Sequence, residues 1–198
     1  MKVLGKNMWS NTVSVTTLIA AAMLAAPEAS AQQLAVGGVE CPIVDGVATC
    51  SGDLSSGVFS NFATPLVSEI NVENVDGPIT PDGFAGFFIF RNDTDITLNI
   101  EDGVSISTLT NPAAGFPAQG IAVLTENGFD VTVDSGANIV ADGNGLAIIG
   151  IEVQPLQGGN ISIANRGDIS AVTTDISSTG IGAFNPVSYT HLTLPTKA

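Results

Sequence analysis

One plan recurs four times along the middle of this chain, and it constrains the fold more than any other feature. Each copy has an alternating apolar and polar run, a turn containing glycine, and a short apolar return. The copies are Ile70-Asn71-Val72 leading to Gly77 and Ile79, and Ile96-Thr97-Leu98-Asn99-Ile100 leading to Gly103 and Ile106. Val131-Thr132-Val133 then leads to Gly136 and Ile139, and Ile161-Ser162-Ile163 to Gly167 and Ile169. The turn glycines stand 26, 33 and 31 residues apart. A glycine heading a small apolar run follows each time: Gly86-Phe87-Phe88-Ile89, Gly120-Ile121-Ala122-Val123, Gly145-Leu146-Ala147-Ile148 and Gly180-Ile181-Gly182-Ala183.

Three short strands in constant order predict one coil of a parallel β-solenoid. Alternation sends Ile and Val inward and Thr, Ser and Asn outward. Coils stacked about 4.8 Å apart align the inward residues into columns that no single coil could bury alone. Corners need residues that tolerate positive φ, and five Asp-Gly pairs (at 45, 76, 82, 102 and 142) and two Asn-Gly pairs (at 127 and 144) supply them. Unequal repeat spacing implies loops of different length at a corner, as in residues 111–119 with their two prolines. A β-sandwich also has short alternating strands between turns, but its strands need not recur in a fixed three-part order. The expected fold is all-β, a right-handed parallel β-helix with three-strand coils.

The N-terminus reads as a cleavable secretory signal peptide over residues 1–31. Lys2 and Lys6 form a positive n-region, residues 13–26 an apolar stretch, and Ala29-Ser30-Ala31 a small-residue cleavage site before Gln32. The apolar run falls short of the roughly 20 residues a membrane-spanning helix needs, and Ser14, Thr16 and Thr17 interrupt it. Removing Lys2, Lys6 and Glu28 from the 5 basic and 19 acidic residues leaves Arg91, Arg166 and Lys197 against 18 carboxylates. So acidic a surface disfavours nucleic acid and anionic membrane as partners. Export places Cys41 and Cys50 in an oxidising compartment, where they should pair. Asp45-Gly46 between them is a hairpin signal, and closing so short a ring contributes about 2.5 kcal/mol. Residues 32–60 are therefore expected to form a disulfide-pinned hairpin cap, with repeats over 61–186.

The run Ile161-Ser162-Ile163-Ala164-Asn165-Arg166-Gly167-Asp168-Ile169-Ser170-Ala171, continuing to Gly180-Ile181-Gly182, resembles coils of bacterial autotransporter passenger domains. That repeat has the form apolar-x-apolar-x-Asn-x-Gly-x-Ile-x-Ala followed by Gly-apolar-Gly. The stretch from Val131 matches less fully, with Ser135 where Asn is usual, and the first two repeats are looser. The resemblance covers about residues 65–185 and implies display at the cell surface or release outside it, through a C-terminal outer-membrane β-barrel. No set of ~10-residue amphipathic strands for a barrel is found in this sequence. Residues 187–198 change in composition, introducing the only Tyr (Tyr189) and His (His191). They resemble a translated sequencing-adapter read-through and are set aside from fold reasoning, although their Thr-Leu alternation would permit a strand.

With that tail set aside, the mature chain has no His, Lys, Tyr or third Cys. No Ser-His-Asp or Cys-His triad and no His-based metal site can be assembled. A catalytic role is not expected, and neither is a cofactor. Two function classes follow: a non-enzymatic surface or secreted passenger acting in adhesion, and a carbohydrate-active β-helix enzyme with Arg91 or Arg166 as its basic residue. Acidic residues clustered with an Arg along one face would favour the enzyme, and scattered carboxylates the passenger. Asp93 with Asp95, or Glu101 with Asp102, offer oxygen ligands for Ca²⁺ without a full calcium-loop spacing. Arg166-Gly167-Asp168 spells a tripeptide used by some adhesive proteins, but the repeat template already accounts for Gly167 at a corner.

Overall fold

A computed structural model describes residues 34–35, 40–61, 66–81, 85–91, 93–110, 117–143, 147–173, 177–185 and 190–193. The signal-peptide residues, including Ala29, Ala31 and Gln32 of the expected cleavage site, lie outside them. The chain opens with β1 (Leu34–Ala35), β2 (Ile43–Val44), β3 (Val47–Gly52) and β4 (Val58–Ser60). Next come β5 (Glu69–Val75), β6 (Ala85–Arg91), β7 (Ile96–Ile100), β8 (Ser105–Leu109) and β9 (Ala118–Thr125). The repeat continues through β10 (Val131–Ser135), β11 (Asn138–Gly143), β12 (Ile148–Pro155), β13 (Ile161–Asn165), β14 (Ile169–Thr173), β15 (Ser178–Ala183) and β16 (Thr190–Thr193).

Strands two or three apart in the first coils, and three apart from β6 onward, lie side by side, which defines a β-solenoid of about four turns. One sheet runs β2-β3-β5-β7-β10-β13-β16, a second β1-β4-β6-β9-β12-β15, and a third β8-β11-β14. All pairings are parallel except β2 with β3. Ile79 extends the third sheet through a bridge to Ile106.

Register turns the sequence repeat into columns. Ala48, Ile70, Leu98, Val133 and Ile163 stack in the first sheet. Ile79, Ile106, Ile139 and Ile169 stack in the third, and Val58, Phe87, Ile121, Ile151 and Ile181 in the second. All but the last residue of the latter two columns are buried. Each buried aliphatic side chain is worth about 1.5–3 kcal/mol relative to exposure, so the columns are the principal source of stability.

A fourth column contains no side chains. Gly57, Gly86, Gly120, Gly150 and Gly180 follow one another in the second sheet, so Gly150-Ile151, and not the run from Gly145 expected from the sequence, takes the third repeat's place in this register. A Cβ on Gly86 would lie 2.5 Å from Ile106 Cγ2 and 2.8 Å from the Gly120 carbonyl oxygen. At Gly120 and Gly150 it would likewise collide with Ile139 and Ile169 and with the next glycine's carbonyl. Glycine lets the strand bend toward the isoleucine column of the following coil.

The solenoid begins earlier than the sequence reading places it. β3 and β4 lie within the segment assigned to the cap, yet β3 pairs in parallel with β5 and β4 with β6. Only β2 is a true cap, folding back on β3 through a two-residue turn with φ of 50° at Asp45 and 81° at Gly46. Both positive φ values fit the hairpin turn that Asp-Gly favours. Cys41 and Cys50 face each other across this hairpin as the disulfide, and both are fully buried at the head of the core. At the other end, β16 continues the first sheet by pairing with β13, in the tail that sequence reasoning sets aside.

Candidate functional site

The outward side of the first sheet carries short polar side chains stacked coil over coil. Thr49, Asn71, Asn99, Asp134 and Ala164 form one ladder. Asn99 Nδ2 donates to Asn71 Oδ1 at 2.8 Å and to Glu69 Oε1 at 3.2 Å. Where this sheet turns toward the third, Glu73, Glu101, Asp134 and Arg166 join Asn71 and Asn99 around a cleft of about 280 Å³. The Asn74 backbone N–H donates to Glu101 Oε1 at 2.6 Å, so that carboxylate also ties two coils together.

Arg166 comes to this cleft from 64 and 32 residues beyond its partners. Its Nε donates to Asp102 Oδ1 at 3.0 Å, and its second guanidinium nitrogen donates to Asp134. The bond to Asp134, then that to Asp102, raises the Arg166 pKa above its usual value. An acidic cluster with an arginine on one face is therefore present, but the arginine is held more firmly protonated. A proton acceptor would require the opposite shift.

The Arg166-Gly167-Asp168 segment is a coil corner set into the stack. A Cβ on Gly167 would collide with the Ala137 carbonyl of the preceding coil. The Asp168 backbone N–H donates to Asn138 Oδ1 at 3.0 Å. Beneath this corner, Asn165 Nδ2 donates to the Gly167 carbonyl at 2.6 Å, and in the coil before, Ser135 Oγ accepts the Ala137 N–H at 3.1 Å. Ser135 and Asn165 stack directly, so this slot of the repeat bonds the turn two residues on in both coils, with Asn donating to a carbonyl and Ser accepting an N–H.

The carboxylates considered for Ca²⁺ have protein donors. Arg91, fully buried, donates to Asp93 at 3.0 and 2.7 Å and to the Asn61 carbonyl at 2.9 Å. Asp95 accepts the Asp130 N–H at 2.9 Å, and Asp130 in turn accepts the backbone and side-chain N–H groups of Asn160. This one-coil-to-the-next bonding holds the Asp130 pKa below the usual carboxylate range. Among the described residues, no three acidic, His or Cys side chains gather as a metal site.

Sequence reasoning missed one polar pair. β9 is buried along its whole length and β12 nearly so, so in these central strands both faces of the second sheet are removed from water. There Gln119 Nε2 donates to Glu152 Oε2. Burial raises the Glu152 pKa and the bond from Gln119 opposes that shift. Gln119 Oε1 has no partner, and a protonated Glu152 carries the O–H that could supply one. The available signal was Gln and Glu inside otherwise apolar strands.

No protein-family model, curated protein or solved structure matches this sequence.

Proposed function

We propose that this chain is an exported, surface-displayed or secreted passenger of the autotransporter type, acting by adhesive contact and not by catalysis. The observation that supports it best is the state of Arg166. It is the one basic side chain lining the cleft, and its donors are engaged by two carboxylates of this chain. A polar ladder of hydrogen-bonded Asn and Glu side chains beside it offers donors and acceptors over several coils, which suits an extended contact surface. The set-in corner at Gly167 favours contact through the side of the solenoid over insertion of the Arg-Gly-Asp tripeptide into a receptor pocket.

The test has two arms. The exported protein is incubated with acidic and neutral polysaccharides, with and without Ca²⁺, and chain shortening is followed. No turnover is expected; turnover abolished by Arg166→Ala would establish the carbohydrate-active alternative instead. The same protein is applied to immobilised extracellular-matrix proteins and glycans. Saturable binding weakened by charge reversal at Glu73 and Glu101 is expected, and its absence across the panel would count against adhesion.

A further inference from the structure

We propose that the edge formed by β14 and β15 is an acceptor for one more coil of this repeat. The segment it takes is a pair of parallel strands placing an isoleucine over Ile169 and a glycine over Gly180. This assignment is independent of whether the lateral surface adheres or catalyses.

The first observation is the last glycine of the column. At Gly57, Gly86, Gly120 and Gly150, a Cβ would press on the carbonyl oxygen of the next glycine, and at the last three also on an isoleucine of the following coil. At Gly180 it would meet only Ile169 Cγ2, at an unstrained 4.0 Å. Neither sterics nor a positive φ calls for glycine there. The contacts that explain glycine at the earlier rungs all come from the next coil, so its presence at Gly180 fits a coil beyond.

Burial gives a second, separate observation. Ile139, Ala141, Ile151 and Val153 are at most 1 % exposed, whereas Ile169, Ala171, Ile181 and Ala183 one coil later are only half-buried. Val172 and Phe184 beside them are 51 % and 49 % exposed. β14 and β15 are the outermost strands of their sheets, while β13 already carries β16 above it. A coil has thus begun over the first sheet, and the matching positions over the other two lack apolar cover among the described residues.

Register specifies the segment. Ile161 stands over Val131, Ile169 over Ile139 and Ile181 over Ile151, thirty residues apart each time. Asp134, Ala164 and Thr193 share one rung. A copy of residues 135–155 joined after Thr193 therefore sets its isoleucine over Ile169 and its glycine over Gly180.

The experiment compares hydrogen exchange in the original chain and in one whose residues 194–198 are replaced by that copy. Amides of β14 and β15 should exchange at least tenfold more slowly in the extended chain. Gly180→Ala should abolish the slowing there while leaving exchange in the original chain unchanged. Equal exchange with and without the extension, or an equal effect of Gly180→Ala on both chains, would overturn the assignment. Protection that instead rises with concentration of the original chain would make a second copy the occupant, and would also overturn it. Should the extended chain not fold, a synthetic 135–155 peptide added to the original chain gives the same readout: protection of β14 and β15 supports the acceptor edge, and none rejects it.

Discussion

Replacing Gly86 by alanine isolates the packing role of the glycine column. Its φ lies outside the left-handed region, so alanine is conformationally allowed there. On backbone entropy alone the change would stabilise by about 0.4–1 kcal/mol. Packing acts in the opposite sense. The added methyl would sit 2.5 Å from Ile106 Cγ2 and 2.8 Å from the Gly120 oxygen, against about 3.5–4.0 Å for a relaxed carbon contact. Ile106 is fully buried between Ile79 and Ile139, so it can retreat only by disturbing its column. Overpacking of this kind costs about 1–3 kcal/mol, leaving a net loss of about 1–2 kcal/mol after the entropic gain. For a domain of this size, the thermal midpoint should fall by about 2–8 °C, read from far-ultraviolet circular dichroism. Gly180→Ala is the matched control and should leave the midpoint unchanged or slightly raised. A midpoint for Gly86→Ala at or above that of the unaltered protein would refute the steric account.

Cys41→Ser with Cys50→Ser should lower stability by about 2.5 kcal/mol, measured by urea unfolding. Intact mass with and without reductant should differ by the two hydrogens of the bond and should show cleavage after Ala31. Asp130 has a lowered folded pKa; its contribution is present above the unfolded value near about 3.9 and is lost as pH falls through the folded value. Asp130→Asn should flatten that acid limb of the unfolding midpoint. Glu152 is shifted the other way: its contribution is fully present below its unfolded pKa and declines as pH rises through the folded value. Glu152→Gln should therefore stabilise at neutral pH, with the advantage vanishing in acid, and an equal effect at both pH values would contradict the burial argument.

The core was legible because it is local and periodic. Ile79, Ile106, Ile139 and Ile169 each follow a turn glycine by two or three residues, and they stack as a column. The start of the stack was hidden for a physical reason. Ala48 and Ile70 are only 22 residues apart, too few for the full three-part plan, and the cysteines there signal a hairpin more loudly than a coil. The candidate site was legible only as ingredients. That Arg166 reaches Asp102 and Asp134 depends on residues from three successive coils falling in line, and no local pattern encodes that. The buried settings of Arg91 and Glu152 are equally non-local: a charged residue ordinarily faces water, and only assembled neighbours remove it.

Register also shows where the repeat is free to vary. Between the coils of β5–β6 and β7–β9, equivalent positions are 28 residues apart in the first sheet and 27 in the third, but 34 in the second. The surplus enters between the third and second sheets, between Ile106 of β8 and Ile121 of β9. One coil on, the spacing runs 35, 33 and then 30, after which it stays at 30 through all three sheets. Strands cannot absorb such changes, because a one-residue slip would turn every inward side chain outward. Corners can, since a longer loop adds little closure entropy. The columns thus conserve the scaffold while the corners change length, and a contact protein of this design would acquire its specificity at the corner that interrupts the spacing, with the polar ladder of the first sheet as the constant surface beside it.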